Sequence, residues 1–396
     1  MPTRPGRRGR VRPLVVTASA VAGLGLAAGG GTISAAAAGA ASGPHWSIVA
    51  RSNSALGAIV APAGASAWVF GSKSASPASP SRPAGVHWNG HRWSPVSFPA
   101  SVKSGIGCAA VSSPGNVWAF AGAAVYGNGT KYAGALRLAG GKWVVKKSFV
   151  PGALVSGCSV LSPTSAWVYG LTHVAPGVGT WRLTSRTWHR ATTGTFSLIA
   201  ASEVSAGDMW ATAADSTGND DVVAHWNGAT WSNDSSFAAA LPAQSSTLMW
   251  NVSAINAVGA GNVWVSGSIL RLDSHGNWIP SPYVLHLSSG SWHKVGRANP
   301  GYYLPDAVSD GHGGWWSPGN GLAFGIGNAS ATPYLLHQTG GRWHRVTVAT
   351  APKGTTMAIM DVAHVPGSNA MLAVAALYNG KPGLYSVVLA YGQLPK

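Results

Sequence analysis

Short stretches of alternating hydrophobic and polar residues recur along most of this chain, separated by turns rich in Gly, Pro, Asn and Ser. In one representative unit the alternating stretches are Gly107–Ser112, Val117–Ala121, Gly134–Leu138 and Lys142–Phe149. The turn 113–116 joins the first two stretches, and the turn 139–141 joins the last two. Alternation with period two, interrupted by frequent turn residues, predicts four short antiparallel strands per unit and an all-β fold.

Two series of tryptophans mark the repeat. Members of the first series follow a turn that contains Asn, Asp, Ser or Gly, and members of the second follow a glycine turn. The first series is Trp68, Trp118, Trp167, Trp210, Trp264 and Trp316, with Met371 in the seventh place. The second series is Trp93, Trp143, Trp188, Trp231, Trp292 and Trp343. The first series recurs at intervals of 43 to 55 residues, the period of a β-propeller blade.

The repeat therefore predicts a seven-bladed β-propeller with four-stranded blades. Its large indole rings are expected to fill the space between adjacent twisted sheets. Periodic tryptophans of this kind are expected to pack in the core and not to bind ligand.

The two ends of the chain predict how the ring closes. The last unit has three predicted strands, Met360–Val365, Met371–Ala375 and Tyr385–Ala390, and stops before its second tryptophan. The missing segment is found at the other end, where 45–49 aligns with 92–96 and Trp46 aligns with Trp93. We expect the N-terminal strand to complete the last blade, which leaves no unpaired end in the ring.

The units end their second strand in Trp-x-x-Gly, as in Trp68–Gly71, and carry a Gly-turn-Trp before the fourth strand, as in Gly140–Trp143. In these motifs the chain resembles secreted bacterial propellers of the Kelch and galactose-oxidase type. The copper chemistry of galactose oxidase needs a Cys beside a Tyr, a second Tyr and two His, and the two cysteines here have a different predicted role. The Gly-x-x-Trp turns also resemble the Asp-boxes of sialidase-like propellers but lack the Asp.

The N-terminus has the composition of an export signal. Five arginines within residues 1–13 precede the apolar stretch Leu14–Leu26 and a run of small residues. This order predicts a secretory signal peptide and linker over residues 1–43, followed by a single propeller domain over 44–396. The alternative is an uncleaved membrane anchor, since the stretch from Leu14 to Ala50 contains no charged residue.

The remaining chain is basic. The whole sequence has 26 Lys and Arg against 10 Asp and Glu, and the predicted mature domain keeps 21 of the cations. Such a charge attracts anionic polymers. Because the cations are distributed along the chain, the alternative interpretation is a contribution to solubility alone. No nucleic-acid specificity is expected, and we expect a monomer.

The sequence favours a non-catalytic protein. Glu203 is the only Glu, and no motif places it beside one of the nine Asp in the arrangement that a glycosidase needs. Glu203 ends the predicted innermost strand of its blade, so a polar structural role is expected. Four histidines, His87, His225, His286 and His337, recur on the third strand and are therefore spread around the ring, which argues against one metal site.

Cys108 and Cys158 occupy equivalent positions on the innermost strands of neighbouring units, which predicts a disulfide in an exported protein.

Oxygen-bearing side chains alternate in one loop, at Asp215, Thr217, Asn219 and Asp221. Oxygen ligands at this spacing are a candidate for Ca²⁺, although a solvated turn is the simpler interpretation.

Loops of variable length should gather on one face of the disc, where the second strand joins the third and one blade joins the next. Loops on a rigid scaffold often carry function. The candidate ligand contacts on that face are Tyr126, Lys131, Tyr132, Arg271, Trp278, Tyr302 and Tyr303. The leading hypothesis is a secreted binding or scaffold propeller with a polyanion, glycan or protein partner. The alternatives are an enzyme acting on extracellular polysaccharide and a lectin with one sugar site per blade.

Overall fold

Each repeat folds into one four-stranded antiparallel sheet, and seven such sheets build the propeller in this computed structural model. The structure describes residues 45–74, 81–123, 132–149, 153–170, 178–193, 196–215, 221–295, 308–318, 333–340, 342–379 and 385–395. The predicted signal segment lies outside the described residues, and the predicted domain division stays a prediction.

The strands follow one another in chain order. The first thirteen are β1 (Trp46–Ser52), β2 (Ala55–Ala63), β3 (Ser66–Lys73), β4 (Arg82–Trp88), β5 (Trp93–Pro95), β6 (Gly105–Ser113), β7 (Asn116–Ala123), β8 (Gly134–Ala139), β9 (Lys142–Ser148), β10 (Gly157–Ser162), β11 (Ser165–Gly170), β12 (Gly179–Thr184) and β13 (Thr187–Arg190). The remaining fifteen are β14 (Phe196–Ser205), β15 (Asp208–Asp215), β16 (Asp221–Trp226), β17 (Trp231–Asn233), β18 (Leu248–Gly259), β19 (Asn262–Leu272), β20 (Trp278–Ser288), β21 (Ser291–Lys294), β22 (Val308–Ser309), β23 (Trp315–Pro318), β24 (Tyr334–Thr339), β25 (Arg342–Thr347), β26 (Thr356–His364), β27 (Met371–Tyr378) and β28 (Tyr385–Tyr391).

Blades 1 to 6 each take four consecutive strands, from β2–β5 in blade 1 to β22–β25 in blade 6. Blade 7 consists of β26, β27, β28 and the N-terminal β1, in that order from its inner to its outer strand. Trp46 lies opposite Tyr391, and Ser52 lies opposite Ser386. The predicted fold and the predicted closure by the N-terminal strand are both confirmed.

The core is divided among the junctions between blades. Seven clusters of buried hydrophobic residues each join one blade to the next around the ring. Trp118, Trp167 and Trp316 of the first tryptophan series are almost completely buried. The indoles therefore act as the predicted packing groups between sheets.

The innermost strand carries a β-bulge in five blades, at the same distance from the second-strand Trp in four of them and one residue further from Met371 in blade 7. The register shifts lie between Leu56 and Ala58, Ile106 and Cys108, Leu198 and Ala200, Val252 and Ala254, and Ile359 and Asp361. A bulge adds one residue to one strand and increases its local twist. The inner strands of these five blades are therefore bent at nearly the same level of the ring.

Hydrogen bonds at these bulges connect one blade to the next. The amide of Leu56 donates to Ser386 Oγ at 2.9 Å, and the amide of Val252 donates to Asp221 Oδ2 at 2.8 Å. Ser386 and Asp221 both lie at the start of the third strand of the preceding blade. The bulge thus exposes an amide that a side chain of the neighbouring blade satisfies.

A disulfide adds a covalent link to one of the junctions. Cys108 of β6 and Cys158 of β10 are bonded, with their Cα atoms 6.0 Å apart. The bond joins the inner strands of blades 2 and 3 and closes a loop of 50 residues. This confirms the predicted pairing.

One short helix, α1 (Ser235–Ala239), lies in the connection between blades 4 and 5. Its N-cap Asp234 accepts a hydrogen bond from the amide of Ser236, and its Phe237 is buried against Trp250 and Trp292. Over the residues that can be described, no helix is both long enough and apolar enough to cross a membrane.

Candidate functional site

The structure describes three of the seven residues predicted to contact ligand. Tyr126, Lys131, Tyr302 and Tyr303 lie outside the described residues. Tyr132 is half-buried against the core between blades 1 and 2, and its carbonyl accepts a hydrogen bond from Ser104 Oγ. Its role in binding stays a prediction.

Arg271 and Trp278 lie on the hairpin where β19 and β20 extend beyond the body of blade 5. Arg271 lies opposite Ile279, whereas Trp278 lies opposite Leu272. Because successive side chains of a strand point to opposite faces, Arg271 and Trp278 are presented on different faces of the hairpin. The structure therefore does not combine them into one surface.

The tip of this hairpin is held by Asp273. Its Oδ1 accepts hydrogen bonds from the amides of Asn277 and His275, both at 2.8 Å. These bonds, led by that from Asn277, lower the pKa of the carboxyl group. The tip is thus ordered by a local Asx-type turn.

The candidate Ca²⁺ loop is only partly described. Asn219 and Thr217 lie outside the described residues, and the Asp215 side chain is not described. Asp221 already accepts the hydrogen bond from Val252 that joins blades 4 and 5. The Ca²⁺ site stays a prediction. Across the described residues, no group of three or more His, Cys, Asp or Glu side chains is arranged to hold a metal ion.

The four recurring histidines have a shared structural role that the sequence did not reveal. Each lies directly opposite the second-strand tryptophan of its own blade and stacks on it, with ring centroids 3.7 to 4.2 Å apart. The four pairs are Trp68–His87, Trp210–His225, Trp264–His286 and Trp316–His337. Burial lowers the pKa of His87 and of His286, so these two rings are neutral near pH 7.

A ring nitrogen of each histidine also contacts a polar side chain in the turn before the tryptophan. His225 Nε2 is 2.9 Å from Asp208 Oδ1, and His337 Nε2 is 3.1 Å from Asp310 Oδ2. Burial alone would raise the pKa of Asp310, but hydrogen bonds from His337 and from nearby amides lower it overall. The expected spread of histidines around the ring is confirmed, and their contacts are internal.

Blades 2 and 3 replace the histidine with arginine. Arg137 lies opposite Trp118 with its guanidinium carbon 5.7 Å from the ring centroid, and Arg182 lies opposite Trp167 at 5.0 Å. Arg182 also donates to the carbonyl of Ala206 at 2.7 Å. Arg137 has no such acceptor within the described part of the chain, and its Nε is buried without a hydrogen-bond partner there.

Glu203 links two blades. Ser165 Oγ donates to its Oε1 at 2.9 Å, and Ser159 Oγ donates to its Oε2 at 3.3 Å, both from blade 3. Burial raises the pKa of Glu203, while these hydrogen bonds and the charge of Arg182 oppose the rise. The carboxyl group is therefore hydrogen-bonded across the junction between blades 3 and 4, which agrees with the predicted structural role.

Asp361 of β26 has a comparable position in blade 7. Its Oδ2 accepts a hydrogen bond from the amide of Ile59 in blade 1 at 3.0 Å, and its Oδ1 accepts one from Val362 at 2.7 Å. Burial raises the pKa of Asp361 to about 7. Glu203 and Asp361 are the two acidic residues on the described innermost strands, and both connect blades.

The charges of the ring are strongly segregated. Residues 45–202, which include blades 1 to 3, contain 13 Lys and Arg and no Asp or Glu. Residues 203–396 contain 8 Lys and Arg and all 10 acidic residues. The excess positive charge of the domain therefore belongs to one side of the disc. The sequence-based interpretation, that the cations are distributed along the chain, missed this segregation of charge. The segregation is nevertheless visible in the sequence, because its first acidic residue is Glu203.

Several of these cations lie where the outer parts of blades 2 and 3 face each other, and we call this surface the blade 2/3 groove. One wall is the outer part of blade 2 and the other is the outer part of blade 3, and the residues that define the groove are Arg137, Lys142, Val144, Lys147, Trp181 and Arg190. Lys147 Nζ lies 5.2 Å from the Trp181 ring centroid across the junction. In the hydrophobic cluster between the two blades, Trp118 of blade 2 meets Trp188 of blade 3 with centroids 5.9 Å apart.

Strand register places the groove residues on facing walls. Arg137 lies opposite Val144, and Ala139 lies opposite Lys142, so these side chains share the Trp118 face of blade 2. A bulge after Val145 brings Lys147 to the same face, opposite Ala135. On blade 3, Arg190 lies opposite Trp181. Four cations thus lie on the two facing walls of the groove.

No protein-family model matches the chain, and no curated protein matches it. Among solved structures it is similar to "YCF48 bound to D1 peptide", with 11% identity over 91% of this chain and 98% of that chain and a TM-score of 0.52.

Two further structures show the same likeness at lower scores. YCF48 from Cyanidioschyzon merolae is 13% identical over 86% of this chain and 96% of its own, with a TM-score of 0.48. A Penicillium chrysogenum α-L-arabinanase in complex with arabinobiose is 10% identical over 71% of this chain and 91% of its own, with a TM-score of 0.39. At 11% identity, the similarity to the peptide-bound YCF48 structure shows the fold alone. The resemblance to Kelch and galactose-oxidase propellers stays a prediction.

Proposed function

We propose that this chain is an exported, non-catalytic propeller that binds an anionic macromolecule through the basic side formed by blades 1 to 3. The observation that carries the proposal is the segregation of charge, with 13 Lys and Arg and no acidic residue in residues 45–202. A surface of one sign attracts partners of the other sign and accelerates their association.

Apart from Arg182, whose charge acts on Glu203, the described cations of this side have no carboxylate partner within the protein. Among the described residues the ion pairs involve histidines of blades 4 to 6, and no Lys or Arg lies within 4.0 Å of a carboxylate. Cations without an internal partner retain their full attraction for an external anion. This favours a binding role over a purely internal one.

An apolar interface has less support. The large hydrophobic side chains that are exposed in the described part of the chain are Val144, Val258, Ile279 and Tyr385, which belong to four different strands or turns. Isolated exposed hydrophobic residues are normal on soluble proteins. Electrostatic recognition is therefore the stronger basis for binding.

The carboxyl groups support a non-catalytic protein. Glu203 receives two hydroxyl hydrogen bonds from blade 3, and Asp361 receives an amide hydrogen bond from blade 1. Each group is engaged in holding adjacent blades together. Glycoside hydrolysis requires two carboxyl groups that are free to face a sugar from opposite sides, and neither Glu203 nor Asp361 is free in this way.

Export is supported by two features. The Cys108–Cys158 disulfide is typical of an oxidising compartment, and the arginine-rich and then apolar N-terminus is typical of a signal peptide. YCF48 was solved with a D1 peptide bound, so a structurally similar propeller has a polypeptide ligand. For this chain we propose that an acidic polypeptide is one of its anionic partners.

The test is a binding assay with the purified chain on immobilised poly-glutamate, heparin and neutral dextran, each at low and high salt. We expect retention on the two polyanions, loss of retention at high salt, and no retention on dextran. Retention on dextran, or retention on the polyanions that is unchanged at high salt, would contradict the proposal. The proposal would also be contradicted if the chain bound neither of the two polyanions.

A further inference from the structure

We infer that the blade 2/3 groove binds an extended acidic polypeptide, with acidic side chains four residues apart on the face towards its cations. This inference rests on the proposed anionic partner and adds the site and the chemical class of the ligand. It comes from the spacing of the charged residues in the groove and from what lies between them.

The groove concentrates positive charge without compensation. Lys142 and Arg190 are exposed, and Arg137 and Lys147 are half-buried. Blades 2 and 3 contain no acidic residue, so no carboxylate of either wall can neutralise these cations. The neighbouring junction between blades 3 and 4 differs, because there Arg182 is bonded to Ala206 and Glu203 lies nearby.

The cations lie at intervals that match an extended chain. On β8, Ala139 faces Lys142, Arg137 faces Val144 and Ala135 faces Lys147, so these levels are two residues apart. Two residues of a strand span about 6.6 Å, and four span about 13 Å. Side chains at alternate positions of an extended peptide have the same spacing and emerge on one face.

The residue between the two lysines adds an apolar contact. Val144 is 37% exposed and lies on the same face as Lys142, one level further along the strand. A peptide that places an acidic, an apolar and an acidic side chain at successive alternate positions pairs each with a matching group of the groove. A preference for this pattern distinguishes binding in the groove from the non-specific attraction of any polyanion.

The edge of blade 2 also supplies backbone groups for an extended partner. Strand β9, with seven residues, is the outermost strand of its sheet, so its outer hydrogen-bonding groups have no partner strand within the sheet. An extended peptide can add to such an edge through main-chain hydrogen bonds, with side-chain contacts giving specificity. This edge favours a polypeptide over a polysaccharide.

The experiment measures binding of a fluorescein-labelled peptide in which Glu, Val and Glu alternate with Thr, by fluorescence polarisation at low salt. A peptide of the same composition with its two Glu adjacent is the register control. A third peptide with Gln in place of Glu is the charge control. We expect the alternating peptide to bind about tenfold more tightly than either control.

Variants of the protein locate the site. The double variant Lys142→Gln and Lys147→Gln should bind the alternating peptide about tenfold more weakly than the parent protein. Lys294→Gln with Arg342→Gln is the matched control, because it removes the same charge from the outer strands of blades 5 and 6 and should change affinity less than about twofold. Arg190→Gln alone tests the opposite wall and should weaken binding about threefold. Melting curves confirm that each variant is folded.

Several outcomes would overturn the inference. Unchanged affinity in the folded lysine variant or in Arg190→Gln would show that the groove is not the site. Equal affinity for the alternating and adjacent-Glu peptides would show that spacing does not matter. If heparin binds the parent protein more tightly than the peptide does, and loses affinity in the same variants, the ligand of the groove is a polysaccharide and not a polypeptide. Failure of the proposed function is distinct, since the parent protein would then bind neither poly-glutamate nor heparin.

Discussion

Trp46 lies edge-on against Trp316, with ring centroids 5.5 Å apart and an angle of 79° between the ring planes. Trp46 belongs to the N-terminal strand in blade 7, and Trp316 belongs to the second strand of blade 6. The same contact between an outer-strand indole and the second-strand indole of the preceding blade recurs at four other junctions. These are Trp143–Trp68, Trp188–Trp118, Trp231–Trp167 and Trp292–Trp210. The N-terminal strand therefore closes the ring with the same contact that holds the other blades together.

Replacement of Trp46 should destabilise the closed ring. Trp46→Ala removes an indole that is 4% exposed and leaves a cavity beside Trp316, so we expect a loss of about 3 to 5 kcal/mol in the free energy of unfolding. The measurement is denaturant unfolding followed by tryptophan fluorescence. Trp278→Ala, on the projecting hairpin of blade 5, is the control and should cost about 1 kcal/mol or less. An equal loss in both variants would argue against a special role for the closing indole.

Asp361 should make stability depend on pH. Its pKa is raised from 3.8 to about 7 in the folded protein, so the folded state binds a proton that the unfolded state has released. The contribution of the protonated group is complete below pH 3.8 and is lost as the pH rises towards about 7. Asp361→Asn should therefore gain stability relative to the parent as the pH increases through this range. Denaturation midpoints at a series of pH values measure the difference.

Asp273 provides a control of opposite sign for the same series. Hydrogen bonds from Asn277 and other groups of the turn lower its pKa, so its contribution is present above its usual pKa and is lost as the pH falls. Asp273→Asn should lose stability relative to the parent at neutral pH and approach it in acid. Parallel pH profiles for the two variants would contradict both assignments.

The turn between the third and fourth strands of blade 3 is strained. Ser185 and Arg186 adopt positive φ values of 48° and 73°, where the equivalent turn of blade 2 has Gly140 and Gly141 at 56° and 74°. Non-glycine residues are disfavoured in this conformation. We expect Arg186→Gly to stabilise the protein by about 0.5 to 1 kcal/mol, and Gly141→Arg to destabilise it by a similar amount. Thermal unfolding of the two variants tests the pair, and a change of the same sign in both would contradict the explanation.

The disulfide should contribute substantially to stability. It closes a loop of 50 residues, and the lost entropy of the unfolded chain corresponds to about 4 kcal/mol. Cys108→Ser with Cys158→Ser should therefore unfold at a lower denaturant concentration than the oxidised parent. Reduction should shift the parent to the same midpoint and leave the double variant unchanged. A double variant as stable as the oxidised parent would rule out this contribution.

Much of the architecture follows from local patterns in the sequence. The recurrence of Trp68, Trp118 and their equivalents predicts the number of blades, because each indole must pack against one neighbouring sheet. The alignment of Trp46 with Trp93 predicts the closing strand, and the equivalent positions of Cys108 and Cys158 predict the disulfide. These features are determined by repetition, since a repeat places equivalent residues in equivalent surroundings.

The candidate site depended on relationships between strands that no local pattern encodes. The bulge after Val145 turns Lys147 towards Trp181, and only the packing of blade 2 against blade 3 brings Arg190 and Lys147 into one groove. The same holds for Asp361, whose raised pKa comes from burial against blade 1, a segment about 300 residues away in sequence. The sequence by itself determined the ring and the sign of its charge, because periodicity and composition are properties of the chain. The tertiary structure decided which cations meet and which carboxyl groups are buried, because these depend on contacts between distant segments.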